Sequence, residues 1–314
     1  MSESGDRWME KFIGESFCEQ KKARRWSIFF KLLTFVYLFV AVALFMPSNF
    51  KVGPSDADPH TALVQVKGVI AYDKPASANI IVAGLRRAFE AEQSKAVMMV
   101  INSPGGSPVQ SGYVYDEIWR LRALYPDKKL YAVIADLGAS GGYYMASAAN
   151  EIYADKASLV GSIGVTASGF GFVETLNKLG VERRHYTSGE HKAFLDAFSP
   201  AKESEAKFWR QVLQGIHRQF IAVVKRGRGE RLKIDSEISE AELFSGLIWS
   251  GERALQLGLV DGLGSPGFVA REVIGVEDIV DYTVRPSPLE KLARQMGVSA
   301  GQGVVSSVSS MTLQ

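Results

Sequence analysis

The chain has 314 residues, 46% of them hydrophobic and 22% charged, and these values exclude a disordered or collagen-like protein. The net charge of +2, from 36 basic and 34 acidic side chains, gives no reason to expect nucleic acid as a partner. The single cysteine, Cys18, excludes a disulfide framework and a cysteine-based zinc site. The four histidines form no His-x-x-x-His pair, so we expect neither a metal nor another cofactor.

The first predicted element is a transmembrane helix over residues 26–47. Ile28–Met46 is a run of 19 residues that only three polar or charged side chains interrupt, and a helix needs about 20 such residues to cross a bilayer. Four cations lie at 21–25, against Lys51 alone just after the run. The positive-inside rule therefore places residues 1–25 in the cytoplasm and the rest of the chain outside it. A cleaved signal peptide is the alternative, but the segment before the run is long and no A-x-A site follows.

The remainder of the chain divides into three parts. Residues 48–60 are a polar, proline-punctuated linker, and residues 61–285 contain the strand and helix patterns. Residues 286–314 end in small and polar residues without a stable period, which is typical of a flexible tail.

Short apolar runs alternate with amphipathic stretches within 61–285. The run AVMMVI is wholly apolar, as expected of a strand that is buried on both faces. This alternation predicts an α/β fold of βαβ units, with a sheet covered by helices. The predicted strands are Ala62–Ile70, Ala96–Ile101, Leu130–Ala135 and Ile152–Ala154. The predicted helices are Ala78–Glu92, Ser111–Leu124, Gly141–Ala149 and Glu203–Arg226.

Two glycine-rich loops follow predicted strands, where an α/β sheet places its chemistry. The first, Asn102–Gly106, has paired glycines that let backbone N–H groups face a ligand, although a plain tight turn has the same composition. The second, Leu137–Gly142, places Ser140 between small residues at the start of a helix. Ser140 is therefore either an exposed nucleophile on a sharp turn or only an N-cap.

A serine nucleophile needs a base, and His60, His185 and His217 are poorly placed for this role: one in the linker, one in a predicted strand and one within the long helix. His191 is better placed, but its neighbour Lys192 competes with it. A lysine acts as a general base where desolvation lowers its pKa from the ~10.4 of a free side chain. The apolar residues Phe194, Leu195 and Phe198 follow Lys192 and could exclude water from it.

Five motifs make the chain similar to a known family. They are SPGG at 103–106, ASGGYYMASAA at 139–149, GSIGV at 161–165, SGEHK at 188–192 and WSGERALQLGLVDGLGS at 249–265. In order and spacing they resemble the signal peptide peptidase A family, and the similarity covers about 60–285 together with the preceding membrane anchor.

The resemblance implies a Clp-protease/crotonase-like fold and a serine–lysine dyad that cleaves peptide bonds. By position, Ser140 matches the nucleophile and Lys192 the general base. Gly106 matches the oxyanion donor, helped by the Ser140 backbone N–H, and Ser162 matches a hydroxyl that orients the lysine.

The resemblance also implies the setting of the reaction. Longer family members have two tandem copies of the domain and this chain has one, so we expect a homo-oligomeric ring or dome in which Ser140 pairs with Lys192 of a neighbouring subunit. The expected substrates are unstructured apolar peptides such as remnant signal peptides, outside the cytoplasm at a bacterial inner membrane. Two alternatives stay open: a crotonase-fold enzyme that binds a thioester enolate in an oxyanion hole, and an inactive membrane-anchored scaffold.

Overall fold

The computed structural model describes residues 21–22, 24–40, 58–233 and 238–285. The described residues within 58–285 belong to one compact unit, and residues 24–40 lie outside it.

Residues 24–40 are helical, and their side chains are exposed. Among the residues that the structure describes, no helix is both long and apolar enough to cross a membrane. Residues 41–47 of the predicted transmembrane helix lie outside the described residues, as do most of the predicted linker and the tail at 286–314.

Eight strands form one sheet within the described residues. The strands are β1 (His60–Lys67), β2 (Ser94–Ser103), β3 (Leu130–Ala139), β4 (Glu151–Ala154), β5 (Leu159–Gly161), β6 (Ile248–Ser250), β7 (Gly262–Leu263) and β8 (Ile279–Asp281). The helices are α1 (Ala78–Glu90), α2 (Pro108–Leu124), α3 (Gly141–Ala146), α4 (Val173–Lys178), α5 (Glu203–Arg228), α6 (Glu240–Leu243), α7 (Gly251–Gln256) and α8 (Pro266–Phe268). A 3-10 turn at Gly229–Arg231 follows α5, and a π-helix at Val269–Ile274 follows α8.

The strand order is β6-β5-β3-β2-β1-β8, and β4 pairs with both β3 and β7. Every pairing is parallel except that of β5 with β6. Parallel neighbours need crossover connections, and α1 and α2 supply these between β1, β2 and β3. The predicted α/β fold of βαβ units is confirmed.

Strand β2 lies at the centre of the fold and is buried on both faces, as its apolar sequence predicts. Val97, Met99 and Ile101 pack in the large core under the helices, whereas Ala96 and Met98 pack in a smaller cluster on the opposite face. Alternate side chains therefore enter two different cores, which fixes the register of the strand.

Three sequence-based expectations differ from the structure. His60 is the first residue of β1 and fully buried, with Nε2 2.9 Å from the hydroxyl of Tyr282, rather than the end of a linker. His185 lies outside any strand. The sequence of α5 also predicts one apolar stripe that packs in the core or against another subunit, but this stripe divides: Phe220 is buried near the C-terminal end of the helix, while Phe208 is 58% exposed.

Candidate active site

Three loops meet where adjacent strands β2, β3 and β5 end. The register pairs that align these ends are Ser103 with Gly138 and Ala139 with Gly161. Because parallel strands present their carboxyl ends at one edge of the sheet, the fold places Gly106, Ser140 and Ser162 in loops at that edge.

Ser140 forms a sharp turn between β3 and α3. Its φ of 51° and ψ of −121° lie in a region that costs a non-glycine residue about 1–3 kcal/mol. The Ser140 carbonyl accepts the N–H of Tyr144 at 2.9 Å and so starts the helix, but the side chain caps no backbone N–H. Ser140 is thus the N-cap residue of α3 but its side chain does no capping, and the strained strand-to-helix turn resembles a nucleophile elbow.

Glycines let this turn pack closely against its neighbours. A Cβ on Gly141 would lie 2.4 Å from the hydroxyl oxygen of Ser111, and a Cβ on Gly142 would lie 3.1 Å from the carbonyl oxygen of Ser103. The SGG sequence is therefore required by the approach of α3 to β2 and α2.

The loop after β2 is held by one residue beyond β1. The N–H of Ile70 donates to the carbonyl of Gly105 at 2.9 Å, and the carbonyl of Ile70 accepts the N–H of Ser107 at 2.8 Å. Because the peptide bond is trans, the N–H of Gly106 points away from Ile70. A Cβ on Gly106 would lie 2.2 Å from the Ile70 oxygen, so only glycine fits there.

Ser103, which is fully buried, fixes the other side of this loop. Its hydroxyl donates to the carbonyl of Gly68 at 2.7 Å and accepts the N–H of Gly105 at 3.1 Å. The SPGG loop is thus a hydrogen-bonded cradle and not a plain tight turn.

At this corner, the backbone N–H groups of Gly106 and Gly141 donate no hydrogen bond to any of the described residues. The nitrogen of Gly106 lies 3.4 Å from the position of a Cβ on Gly141, so the two glycines are neighbours. The N–H of Ser140, by contrast, donates to the carbonyl of Gly161 at 2.8 Å. The N–H of Ser140 is therefore not free to bind an oxyanion, contrary to expectation. Gly141 directly follows Ser140, which is the position of an oxyanion donor in a nucleophile elbow.

Buried polar side chains form hydrogen bonds between α3, α5 and the segment 259–261. Tyr143 donates its hydroxyl to the carbonyl of Leu259 at 2.7 Å, and burial raises the pKa of this phenol, so that it stays protonated. Arg228 of α5, almost wholly buried, forms a two-pronged ion pair with Asp261 at 2.7 and 2.8 Å.

Ser162 follows β5 and also has a left-handed backbone, with φ of 49°. Its N–H donates to the carbonyl of Leu247 at 2.8 Å, which ties the GSIGV loop to the segment before β6. The loop backbone is therefore fixed beside Ser140, whose N–H binds the carbonyl of the preceding Gly161.

No hydrogen bond or ion pair among the described residues joins Lys192 to this corner. It lies in an exposed turn, where its backbone N–H donates to the carbonyl of Gly189 at 3.2 Å. Among the described residues, its ammonium forms no hydrogen bond or ion pair, and none joins it to Ser140. His191 is exposed in the same turn.

Strained backbone occurs in the Ser140 turn, in the Ser162 loop and near Lys192. Within the described residues, the non-glycine residues with positive φ are Ser140, Ser162 and Leu195. Leu195 lies three residues after Lys192, and its N–H donates to the carboxylate of Glu205 at 3.0 Å. Glu205 and His217, whose Nε2 lies 2.9 Å from the carbonyl oxygen of Ile163, are contacts that sequence reasoning missed. No local motif signals either residue, because both act across the fold.

Comparisons with known proteins agree with these motifs. Residues 122–273 match the model of Peptidase family S49, a range that includes Ser140, Ser162 and Lys192. The chain is 32% identical over 208 residues to the serine protease SPPA, chloroplastic, of Arabidopsis thaliana (65% of this chain, 29% of that protein). It is 31% identical over 209 residues to protease 4 of Haemophilus influenzae (65% of this chain, 32% of that protein).

A further similarity is to part of a larger protein. The chain is 44% identical over 191 residues to a Na(+)/H(+) antiporter NhaA of Brucella abortus, and the match covers 61% of this chain but 25% of that protein. The chain thus spans about a quarter to a third of the length of these curated relatives. The family match and the motifs coincide in the domain around Ser140. Residues 122–273 are similar to Peptidase family S49, and the relatives named as proteases support the resemblance to the signal peptide peptidase A family.

Proposed function

We propose that this chain is a serine endopeptidase in which Ser140 is the nucleophile and Lys192 the general base. The observation that supports this most directly is the strained elbow at Ser140, next to the unpaired N–H groups of Gly106 and Gly141. A reactive hydroxyl and two fixed donors are what acyl transfer requires.

The proposed reaction proceeds by acylation and hydrolysis. Neutral Lys192 Nζ takes the proton from Ser140 Oγ as that oxygen attacks the scissile carbonyl carbon. The N–H groups of Gly106 and Gly141 stabilise the oxyanion, and loss of one such donor costs about 3 kcal/mol in other enzymes. The lysine then gives its proton to the leaving amine. Water hydrolyses the acyl-enzyme by the same route, with the lysine again as base and then as acid.

Ser162 is proposed to orient the lysine ammonium. Its left-handed backbone and its position after Gly161, which binds the N–H of Ser140, support a hydroxyl held beside the nucleophile.

We propose that Lys192 reaches Ser140 of a second copy, within a ring or dome. The lysine and much of residues 166–190 are exposed, including Phe170 (81%) and Tyr186 (88%), and large apolar side chains of this kind favour burial against a partner. In addition, α5 holds the lysine segment at Glu205 and the Ser162 loop at His217. Glu205 and His217 are about 18 Å apart along the helix axis. This separation between the lysine segment and the Ser162 loop supports a site whose lysine comes from a second copy of the chain.

The proposed substrates are unstructured apolar peptides such as remnant signal peptides, as the name of this family suggests. We further propose that residues 26–47 anchor the chain in a bacterial inner membrane with the catalytic domain outside the cytoplasm. The charge bias at 21–25 supports this orientation. A reporter that is active only outside the cytoplasm should therefore work when fused after Gln314, and activity of a cytoplasmic reporter there instead would contradict it.

Covalent labelling tests the chemistry. A fluorophosphonate should form an adduct that mass spectrometry locates on Ser140, and both Ser140→Ala and Lys192→Ala should abolish labelling and peptidase activity. His191→Ala is the matched control beside the lysine and should retain most activity. Loss of activity in His191→Ala with activity kept in Lys192→Ala would overturn the assignment of the base. An unlabelled but folded wild-type protein would favour the thioester-binding or scaffold alternatives.

A further inference from the structure

Helix α5 contacts the backbone of both segments that the proposed reaction assigns to the lysine. From its first turn, Glu205 accepts the N–H of Leu195 at 3.0 Å. Further along, His217 Nε2 lies 2.9 Å from the carbonyl oxygen of Ile163. Helix α5 also packs in the main core, through Phe220 and Val224.

The contact at Glu205 holds a strained residue. Leu195 has φ of 51°, which a bulky side chain adopts only where its surroundings enforce it, at a cost of about 1–3 kcal/mol. Glu205 is 8% exposed, and its second carboxylate oxygen is bound by the ammonium of Lys202 at 3.2 Å. The N–H of Leu195 and then Lys202 hold the pKa of this carboxyl below its usual value, so Glu205 is a charged acceptor. Lys192 lies three residues before Leu195, so this bond sets the direction in which the lysine turn leaves the helix.

The contact at His217 holds the loop of the second left-handed serine. Because a carbonyl can only accept, His217 Nε2 carries the hydrogen and donates to Ile163. Ile163 is fully buried and directly follows Ser162, so the imidazole holds the same loop that the bond between Ser162 and Leu247 holds.

We propose that Glu205 and His217 are positioning residues for catalysis: Glu205 for the turn that carries Lys192, and His217 for the loop that carries Ser162. This proposal rests on the proposed serine–lysine function. Neither side chain contacts the reacting atoms, so their loss should lower kcat while KM changes little. Misplacement of a catalytic group by about 1 Å can cost about 100-fold in rate, and we expect losses of about 10- to 100-fold.

Conservative and disruptive variants separate a hydrogen bond from a merely structural role. Glu205→Gln keeps an oxygen that accepts the N–H of Leu195, whereas Glu205→Ala removes it. Likewise His217→Gln keeps an N–H donor, whereas His217→Leu removes it. We expect the two Gln variants to stay within about threefold of wild-type kcat, against the 10- to 100-fold loss in the other two. Glu203→Ala and Gln219→Ala, exposed positions on the same helix, are the matched controls and should keep wild-type activity.

The measurements are kcat, KM and thermal melting of the full-length chain, with the rate of fluorophosphonate labelling at Ser140. If Glu205→Ala does not fold, Glu205→Asp serves in its place, because it keeps the charge and withdraws the acceptor by one methylene. Wild-type kcat in a folded Glu205→Ala or Glu205→Asp variant would overturn the role of Glu205. Wild-type kcat in folded His217→Leu would overturn that of His217. Either failure, with Ser140 still labelled in the wild type, leaves the proposed function intact, whereas an unlabelled wild type would refute the function itself.

Discussion

The backbone N–H of Ser140 donates to the carbonyl of Gly161 at 2.8 Å, and this bond joins the end of β3 to the end of β5. It occupies the N–H that the family resemblance assigns to the oxyanion. It also fixes the elbow relative to the loop that carries Ser162. The neighbouring N–H groups of Gly106 and Gly141 donate no hydrogen bond to the described residues, and they are the donors that we propose for the oxyanion.

Substitution at Gly106 should therefore disable catalysis. In Gly106→Ala the new Cβ would lie 2.2 Å from the Ile70 oxygen, so the peptide that bears the donor N–H must move. We expect kcat to fall about 100- to 1,000-fold, the effect of losing one oxyanion donor. Gly112→Ala on α2 is the control, since a Cβ there meets nothing within 4 Å and should leave kcat unchanged. A Gly106→Ala enzyme with wild-type kcat would refute the oxyanion role.

A mixing experiment tests whether the dyad crosses a subunit interface. Inactive Ser140→Ala and inactive Lys192→Ala chains are co-expressed, or mixed after dissociation, and peptidase activity is measured. If each site takes its serine and its lysine from different copies, about a quarter of the sites in a random ring regain both groups. If one chain supplies both the serine and the lysine of a site, mixed oligomers that are verified to contain both variants stay inactive. That result would refute a site shared between subunits and would leave the serine–lysine chemistry untouched.

Two glycines of α5 should respond to alanine in opposite directions. In Gly227→Ala the Cβ would lie 1.8 Å from the carbonyl oxygen of Ser147, where α5 packs on the end of α3, so we expect a loss of about 1–3 kcal/mol or more in the free energy of unfolding. In Gly215→Ala the nearest atom is the end of the Arg218 side chain at 3.9 Å, and alanine should stabilise the helix by about 0.5–1 kcal/mol. Urea unfolding of both variants provides the measurement, and equal shifts would contradict the packing described.

Acid should destabilise the domain in part through Glu117. Hydrogen bonds from Arg120, and then from Arg86, lower the pKa of this carboxyl from 4.5 to about 2. A group whose folded pKa is depressed stabilises the protein above its unfolded pKa, so this contribution is complete above pH 4.5 and is lost as the pH falls towards 2. We expect about 1–3 kcal/mol from it.

The measurement is the free energy of unfolding of the wild type and of Glu117→Gln between pH 7 and pH 2.5. The variant should be less stable at pH 7, and the difference should shrink as the pH falls. A difference that is constant across this range would contradict the assignment.

The sequence by itself predicted the central strands, the longer helices and the sharp turn at Ser140. The wholly apolar run in β2 predicts burial on both faces because each face alternates along a strand, and the small residues around Ser140 predict a sharp turn because larger ones would not fit. These are local properties, so they can be derived from the chain without its partners. The choice of Lys192 over His191 rests on the family resemblance and not on any local pattern.

Only the tertiary structure decided which groups of the candidate site are available. The N–H of Ser140 is occupied because parallel pairing brings Gly161 beside it, 21 positions along the chain. In the same way, His217 contacts Ile163, 54 positions away, and His60 is buried against Tyr282, 222 positions away. Each of these contacts depends on strand order, register and helix packing. A hydrogen bond requires a short donor–acceptor distance and a near-linear angle. The folded backbone decides whether two groups meet these requirements, and the residue types alone do not.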